Sequence, residues 1–410
     1  MRVCVIGGGA SGMMCATMIA RKGHFVHLYE KNEKLGKKIY ITGKGRCNVS
    51  NATTGQEFLK NVVNGRKFVM GAITRFDYND TIEFFKKVGV PLKIERGNRI
   101  FPESDKSSDI IKGLEKAMEN ERVKVHLNSP VQKILIEENI VKGIVVNGET
   151  IQYDSVIVAT GGISYPATGS TGDGYKFAKE AGHSIIEPIQ ALCGIKINNN
   201  DCQKLDLLTL KNVKLSAKQN EKNIFNSEIG EMTFMKNSIT GPIVLTCSSF
   251  INRQDFSNIK LYIDFKPALS EESLENRIDR DIVELKSGNV SALLEGLLPK
   301  SLVGVFAERL GFKLDEKANQ MNKEKRKKLI NLLKNFELTP ISLESFDSSI
   351  VTSGGINLKE INPKFMRSKN ISNLYFIGEV LDIDALTGGF NIQLAFATAV
   401  TCASDFKDYR

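Results

Sequence analysis

An apolar run at residues 3–6, Val-Cys-Val-Ile, reads as a buried strand, and the spacing over 13–21 reads as an amphipathic helix. A second apolar run over 26–29 ends in Glu30. Residues 34–51 mix glycine, lysine and asparagine too irregularly for a long helix. Helical spacing returns over 57–88, with Phe84, Phe85 and Val88 as core candidates, and again over 109–119. Short strands are expected over 91–102, around a turn at Gly97-Asn98, and over 123–127 and 132–136. Runs at 140–146 and 150–153 bracket Asn147-Gly148, a hairpin signal because both residues tolerate positive φ. A further apolar strand at 156–158 runs into Ala159-Thr-Gly-Gly162, and a helix over 175–181 is stopped by Gly182. After Ile189 the pattern shifts to short β segments over 191–267 and to helical periodicity over 271–334. Strand character resumes at 350–356 and 374–379, and a helix over 391–406 closes the chain. No internal repeat or low-complexity tract is present.

The first strand leads directly into Gly7-Gly-Gly9-Ala10-Ser11-Gly12. Strand, Gly-x-Gly-x-x-Gly turn, helix and second strand ending in an acid form the dinucleotide fingerprint in its full context. Gly7 permits the tight turn, Gly9 the approach of a pyrophosphate, and Gly12 the close packing of helix on strand. Glu30 is placed to accept hydrogen bonds from ribose hydroxyls, which favours FAD or NAD over NADP. Two more glycine turns follow strands, at 159–162 and 378–389. In an open parallel sheet the ligand lies beyond the strands' carboxyl ends, so all three can face one nucleotide. The last turn feeds a helix N-terminus able to stabilise negative charge on a reduced flavin. No second Gly-x-Gly-x-x-Gly follows a strand, so no dedicated NAD(P)H domain is expected.

Length and composition narrow the class. A chain of 410 residues exceeds one typical core and predicts two or three domains. The seven cysteines are scattered without a Cys-x-x-Cys pair, which argues against disulfides or a zinc site. Strand character begins almost at the first residue and no apolar run approaches a membrane span, so a cytoplasmic protein without a leader is expected. The net charge of +9 is dispersed apart from 323–328, which reads as the solvated face of an amphipathic helix. Nucleic acid is therefore not the first expectation for a partner.

Four segments carry a resemblance to a known family: Gly7 to Gly12 with Glu30, residues 36–51, Ala159 to Gly174 with Tyr165-Pro166, and Gly378 to Asn391. With these, the chain resembles the bacterial single-Rossmann FAD flavoproteins of the aminoacetone oxidase-like and bile-acid enone reductase-like type, over nearly its whole length. The resemblance implies an α/β fold: a discontinuous Rossmann-like FAD-binding domain over 1–190 and 349–410, an inserted β-barrel-like domain over 191–268 and 336–348, and a small helical domain over 269–335. It implies FAD held by Gly7, Gly9, Ala10, Ser11, Gly12, Glu30 and Lys31 at the ADP half, and since no histidine or cysteine except Cys47 adjoins the flavin motifs, non-covalent binding is expected. Lys38, Thr42, Gly43, Arg46 and Asn48 would lie along the pyrophosphate and flavin, and Ala159, Thr160 and Gly161 near the adenosine and diphosphate. Gly378, Glu379, Asp384, Gly389, Phe390, Asn391 and Ile392 would surround the ribityl chain and flavin edge.

Catalysis is less legible. His24, His27 and His183 sit in structural contexts, and no Ser/His/Asp or metal-ligand set stands out. Tyr165 and Arg46 are the candidate proton donors because both lie in flavin-adjacent motifs, while Asp173 reads as a helix N-cap. The leading expectation is an FAD-dependent oxidoreductase that passes hydride through flavin N5 from transiently bound NAD(P)H to an activated C=C of a small molecule. An amine oxidase producing H₂O₂ and a flavoprotein that binds or modifies RNA remain as alternatives.

Overall fold

The computed structural model describes residues 1–198 and 201–409. Its main sheet has seven strands in the order Ile361–Asn362, Arg367–Ser368, Leu374–Phe376, Ser155–Val158, Arg2–Ile6, Phe25–Tyr29 and Lys124–His126. The last five run parallel, and the first two form an antiparallel edge. Val3, Val5 and Ile157 at its centre are fully buried, as strands covered on both faces must be. Each such side chain contributes about 1.5–3 kcal/mol relative to exposure, making the strand ends a firm platform. Helices Ala10–Ala20 and Phe390–Ala403 pack against one another in the same core. The expected hairpin is present between Ile140–Val146 and Glu149–Gln152, with φ 52° at Asn147 and 80° at Gly148.

The chain divides into two compact units, Met1–Gln190 with Phe346–Arg410, and Ala191–Ser345. In the second, a curled sheet is built on the long strand Thr209–Gln219, which pairs with Lys222–Asn226, Gly230–Met235 and Ile259–Asp264. Helices Glu271–Glu284, Val290–Leu297, Lys300–Leu310 and Lys323–Lys334 share one hydrophobic core with this sheet. The basic run is a solvated face: Lys325 pairs with Glu316, Lys328 with Glu324 and Arg326 with Asp279, while Leu329, Ile330 and Leu333 are buried. Among the described residues, no helix is long and apolar enough to cross a membrane.

Three local expectations need correction. The helix expected over 57–88 is three helices, Gly55–Lys60, Arg66–Arg75 and Tyr78–Lys87. Gly65 at φ 78° and the capping box of Asp77 start the second and third. The stretch expected to be β segments over 191–267 contains the helix Pro242–Ile251. Its sequence, PIVLTCSSFI, is apolar on most sides and so lacks the 3.6-residue polar rhythm that would mark it. Asp173 is the first helical residue, and the N-cap is Gly172.

Candidate active site

The three glycine turns meet at the carboxyl ends of adjacent strands. A side chain on Gly7 would lie 2.5 Å from the Ala159 carbonyl oxygen, and one on Gly12 only 1.9 Å from that of Gly7. One on Gly378 would lie 2.6 Å from Ser11 Oγ, so the third turn rests on the first helix. Gly9 differs, because a Cβ there would meet no protein atom within 4 Å. Thus Gly7, Gly12 and Gly378 are demanded by packing, while Gly9 faces open space. No side chain caps the helix Ala10–Ala20, whose first turn therefore presents backbone N–H groups and a positive dipole end.

At the end of the second strand, the buried Glu30 carboxylate accepts from the N–H of Gly8 at 2.8 Å and of Asn32 at 2.9 Å. These bonds fix its orientation and leave lone pairs for further donors. The neighbouring Lys31 pairs with Asp173 at 2.7 Å and bonds Thr171. Asp173 is therefore an ion-pair partner.

Residues 36–48 wrap the next part of the site. Lys38 Nζ donates to Ser164 Oγ at 2.6 Å and to Glu379 at 2.8 Å. Glu379 also accepts from Ser164 Oγ at 3.1 Å and from the Thr352 N–H at 2.9 Å, while Thr352 Oγ1 accepts the N–H groups of Ile163 and Ser164. One polar cluster thus ties the second and third glycine turns to the helix Lys37–Ile41. Thr42 Oγ1 donates back to the Lys38 carbonyl at 2.8 Å, and Gly43 has φ 61°. Tyr175, buried on the helix Asp173–Glu180, has its phenol pushed up by burial and then by the charges of Glu379 and Asp382.

Arg46 is held by Glu95 at 2.6 Å and Asp105 at 3.0 Å and lies over the Phe101 ring at 4.1 Å. These carboxylates raise its pKa still further, which works against proton donation. Tyr165 takes a left-handed conformation, φ 52°, with its N–H donating to the Phe346 carbonyl at 2.9 Å. Its carbonyl accepts from Thr168 Oγ1 at 2.8 Å. The Tyr165 hydroxyl makes no hydrogen bond to the protein among the described residues. A non-glycine residue at positive φ stores strain and often marks a functional turn.

At the far end, a Cβ on Gly389 would lie 2.2 Å from the Ser50 carbonyl oxygen and 2.9 Å from Asn48 Oδ1. Asn48 Oδ1, Asn51 Oδ1 and Thr160 Oγ1 are buried without a hydrogen-bond partner. Gly389 starts the helix Phe390–Ala403 without a side-chain cap. Phe390 packs edge-on to Phe58 at 5.1 Å, and Asn391 exchanges bonds with Ala385, adjoining the buried Asp384. Ile392 is partly buried against the core. Gln393, fully buried, accepts from Ser50 Oγ at 2.6 Å and Thr81 Oγ1 at 2.7 Å. Ser164, Thr352 and Gln393 carry no sequence signal, since each matters through partners distant in the chain.

Cys47 is fully buried and its thiol is pushed up to about 12 by burial, which works against a reactive thiolate there. His183 bonds Glu360 at 3.1 Å and Ser368 at 2.8 Å, a structural role.

An adenine dinucleotide extended across these strand ends suits the residues present. It would meet open backbone at Gly9, two uncapped helix N-termini, and buried acceptors awaiting a donor at Asn48 and Asn51. Fold and site define a dinucleotide-binding flavoenzyme. The chain belongs to the HI0933-like Rossmann family, whose model matches residues 1–405, and it is an FAD-dependent oxidoreductase. It is 28% identical to the 3-dehydro-bile acid delta(4,6)-reductase of Clostridium scindens, over 97% of both chains. It is 30% identical to the ribosomal RNA dihydrouridine synthase of Haemophilus influenzae, over 97% of this chain and 96% of that one. Its fold is shared with the 3-ketosteroid delta1-dehydrogenase of Sterolibacterium denitrificans, with TM-score 0.54, 13% identity and 98% of both chains covered.

Proposed function

We propose that this protein reduces a carbon–carbon double bond conjugated to a carbonyl, with electrons from NADH or NADPH. The supporting observation is the pair of glycine turns at Gly9 and Gly389, each opening an uncapped helix, with the buried, unpartnered acceptors of Asn48 and Asn51 beside the second. The two similar enzymes narrow the substrate chemistry. A 3-oxo bile acid with a Δ4 bond and a uracil ring both hold an alkene conjugated to a carbonyl. In such a reduction NAD(P)H and one proton are consumed. Hydride adds to the carbon β to the carbonyl, the proton adds to the α carbon, and NAD(P)⁺ leaves. FAD, when bound, supplies the two-electron relay between nicotinamide and alkene.

The chain's own residues have three tasks in this reading. The helix N-terminus behind Gly9 and the Glu30 carboxylate bind the dinucleotide. The Lys38–Glu379–Ser164–Thr352 cluster holds the glycine turns in register. Tyr165 delivers the proton to the α carbon, and Arg46, locked between two carboxylates, acts as a structural strut. A uridine within RNA is the second substrate form, since a relative of similar length is a ribosomal RNA dihydrouridine synthase.

The test is mass-spectrometric. Incubation with NADPH and a conjugated enone should add two hydrogens, and the non-conjugated isomer should stay unchanged. Peroxide formed on adding aminoacetone, with no alkene reduced, would replace this reading by an amine oxidase. Tyr165→Phe should lower turnover 10²-fold or more, in line with the loss of a positioned acid. Unchanged turnover across the pH range would remove Tyr165 as the donor.

A further inference from the structure

The hairpin Leu92–Glu95/Arg99–Pro102 stands beside the last glycine turn. Its tip has φ 76° at Gly97 and 58° at Asn98. One side chain fastens it in place: Asn51 Nδ2 donates to the Gly97 carbonyl at 3.2 Å and to the Gly388 carbonyl at 2.9 Å. The Ala52 N–H donates to the Asn98 carbonyl at 2.7 Å, and Ser50–Asn51 pairs in register with Ile100 and Arg99. The tip is thereby fixed against the same loop that ends at Gly389.

This fixed tip carries two exposed arginines, Arg96 and Arg99. Arg99 Nε donates to the Arg96 carbonyl at 3.0 Å, which holds that guanidinium at the tip. Neither pairs with a carboxylate among the described residues. The acids close to the hairpin are already committed, Glu95 to Arg46 and Lys93, and Asp105 to the same two cations. Glu103 lies at the other end of the hairpin, where its N–H bonds the Pro91 carbonyl. Exposed arginines on a mobile loop would be ordinary solubilising charge. Two without a carboxylate partner, on a turn pinned to the Gly388–Gly389 loop, place positive charge beside that loop.

We propose that Arg96 and Arg99 are an oxyanion clamp that holds an anionic group of the substrate while its conjugated ring occupies the reactive end of the site. This rests on the reading above that the Gly388–Gly389 turn borders that end. Guanidinium groups suit the task because they bind carboxylate or phosphate through two parallel hydrogen bonds and never lose their charge. The oxyanion has two sources, a phosphodiester beside a uridine in RNA or a carboxylate on a small enone, and the experiment separates them.

The FAD-loaded protein and its R96A/R99A variant would be compared by fluorescence anisotropy with a fluorescein-labelled, uridine-containing RNA hairpin. They would also be compared by calorimetry with a steroid enone bearing a side-chain carboxylate and with its methyl ester. The variant should keep its flavin and its affinity for the ester. It should bind one oxyanion probe about tenfold or more weakly, and if that probe is the RNA the salt slope should fall by about 2. Loss on the RNA assigns the phosphodiester, and loss on the free acid alone assigns the carboxylate. Unchanged binding of both probes overturns the clamp, as does failure of the wild type to bind either at physiological salt. An equal loss in K327A/K328A, on the helix Lys323–Lys334, would reduce the effect to diffuse charge and overturn it as well. Binding is read without turnover, so a clamp failure is distinct from failure of the wild type to reduce any conjugated alkene.

Discussion

Gly9 and Gly12 stand three positions apart and answer to opposite constraints. A methyl group on Gly12 collides with the Gly7 backbone at 1.9 Å, whereas one on Gly9 meets no protein atom. Gly12→Ala should therefore destabilise the apoprotein by about 3 kcal/mol or more, because neither backbone can retreat. Gly9→Ala should leave apoprotein unfolding within about 1 kcal/mol of wild type, yet abolish flavin retention. Urea melts of the apo variants, read beside the flavin absorbance of the purified proteins, separate the two. Equal stability loss in both would contradict the assignment of Gly9 to the ligand. At this scale the motif glycines were legible from spacing alone. Ser164, Thr352 and Gln393 were not, because a buried hydroxyl or amide gains its role only from partners such as Glu379 or Ser50 that folding brings near.

Elements fix how those residues are held. The helix Lys37–Ile41 is joined to the third glycine turn through the Lys38–Glu379 pair at 2.8 Å, both side chains about a quarter exposed or less. A double-mutant cycle on K38M and E379Q should give a coupling of about 1 kcal/mol, and additivity would show that the pair is incidental. At the sheet edge His27 Nδ1 and His126 Nε2 lie 3.0 Å apart, beside the hydrogen-bonded pair Tyr29 and Tyr153. Burial, then His126, Lys124 and Arg2, lowers the His27 pKa to about 4, and burial lowers that of His126. The unfolded chain thus binds more protons than the fold between the ordinary histidine pKa and about 4. Stability should be fully present above pH ~6.5 and fall as pH drops through that window, with a shallower fall in His27→Gln. A melting temperature independent of pH there would contradict it. The alternating strands and the Asn147-Gly148 hairpin were readable because period and turn chemistry agree. The breaks at Gly65 and Asp77 and the apolar helix Pro242–Ile251 were not, since local pattern alone does not show a helix interrupted by a cap or buried on most sides.

For the whole molecule, the parallel sheet, the inserted curled sheet and the return of the chain to its first domain follow from where polarity shifts after residue 189 and strand character resumes near 350. A ligand bound to the folded state alone raises stability by mass action. Stripping FAD should lower the melting temperature, and adding it back should restore it in a concentration-dependent way, a shift read by scanning calorimetry. Passage of NAD(P)H electrons to a conjugated alkene, the proposed reaction, is read by anaerobic stopped-flow absorbance of the holoprotein. NADH or NADPH should bleach the flavin absorbance rapidly, and a conjugated enone or a uridine-containing RNA should restore it without oxygen. Bleaching only by an amine, with peroxide on readmitting air, would make the protein an amine oxidase and rule out alkene reduction.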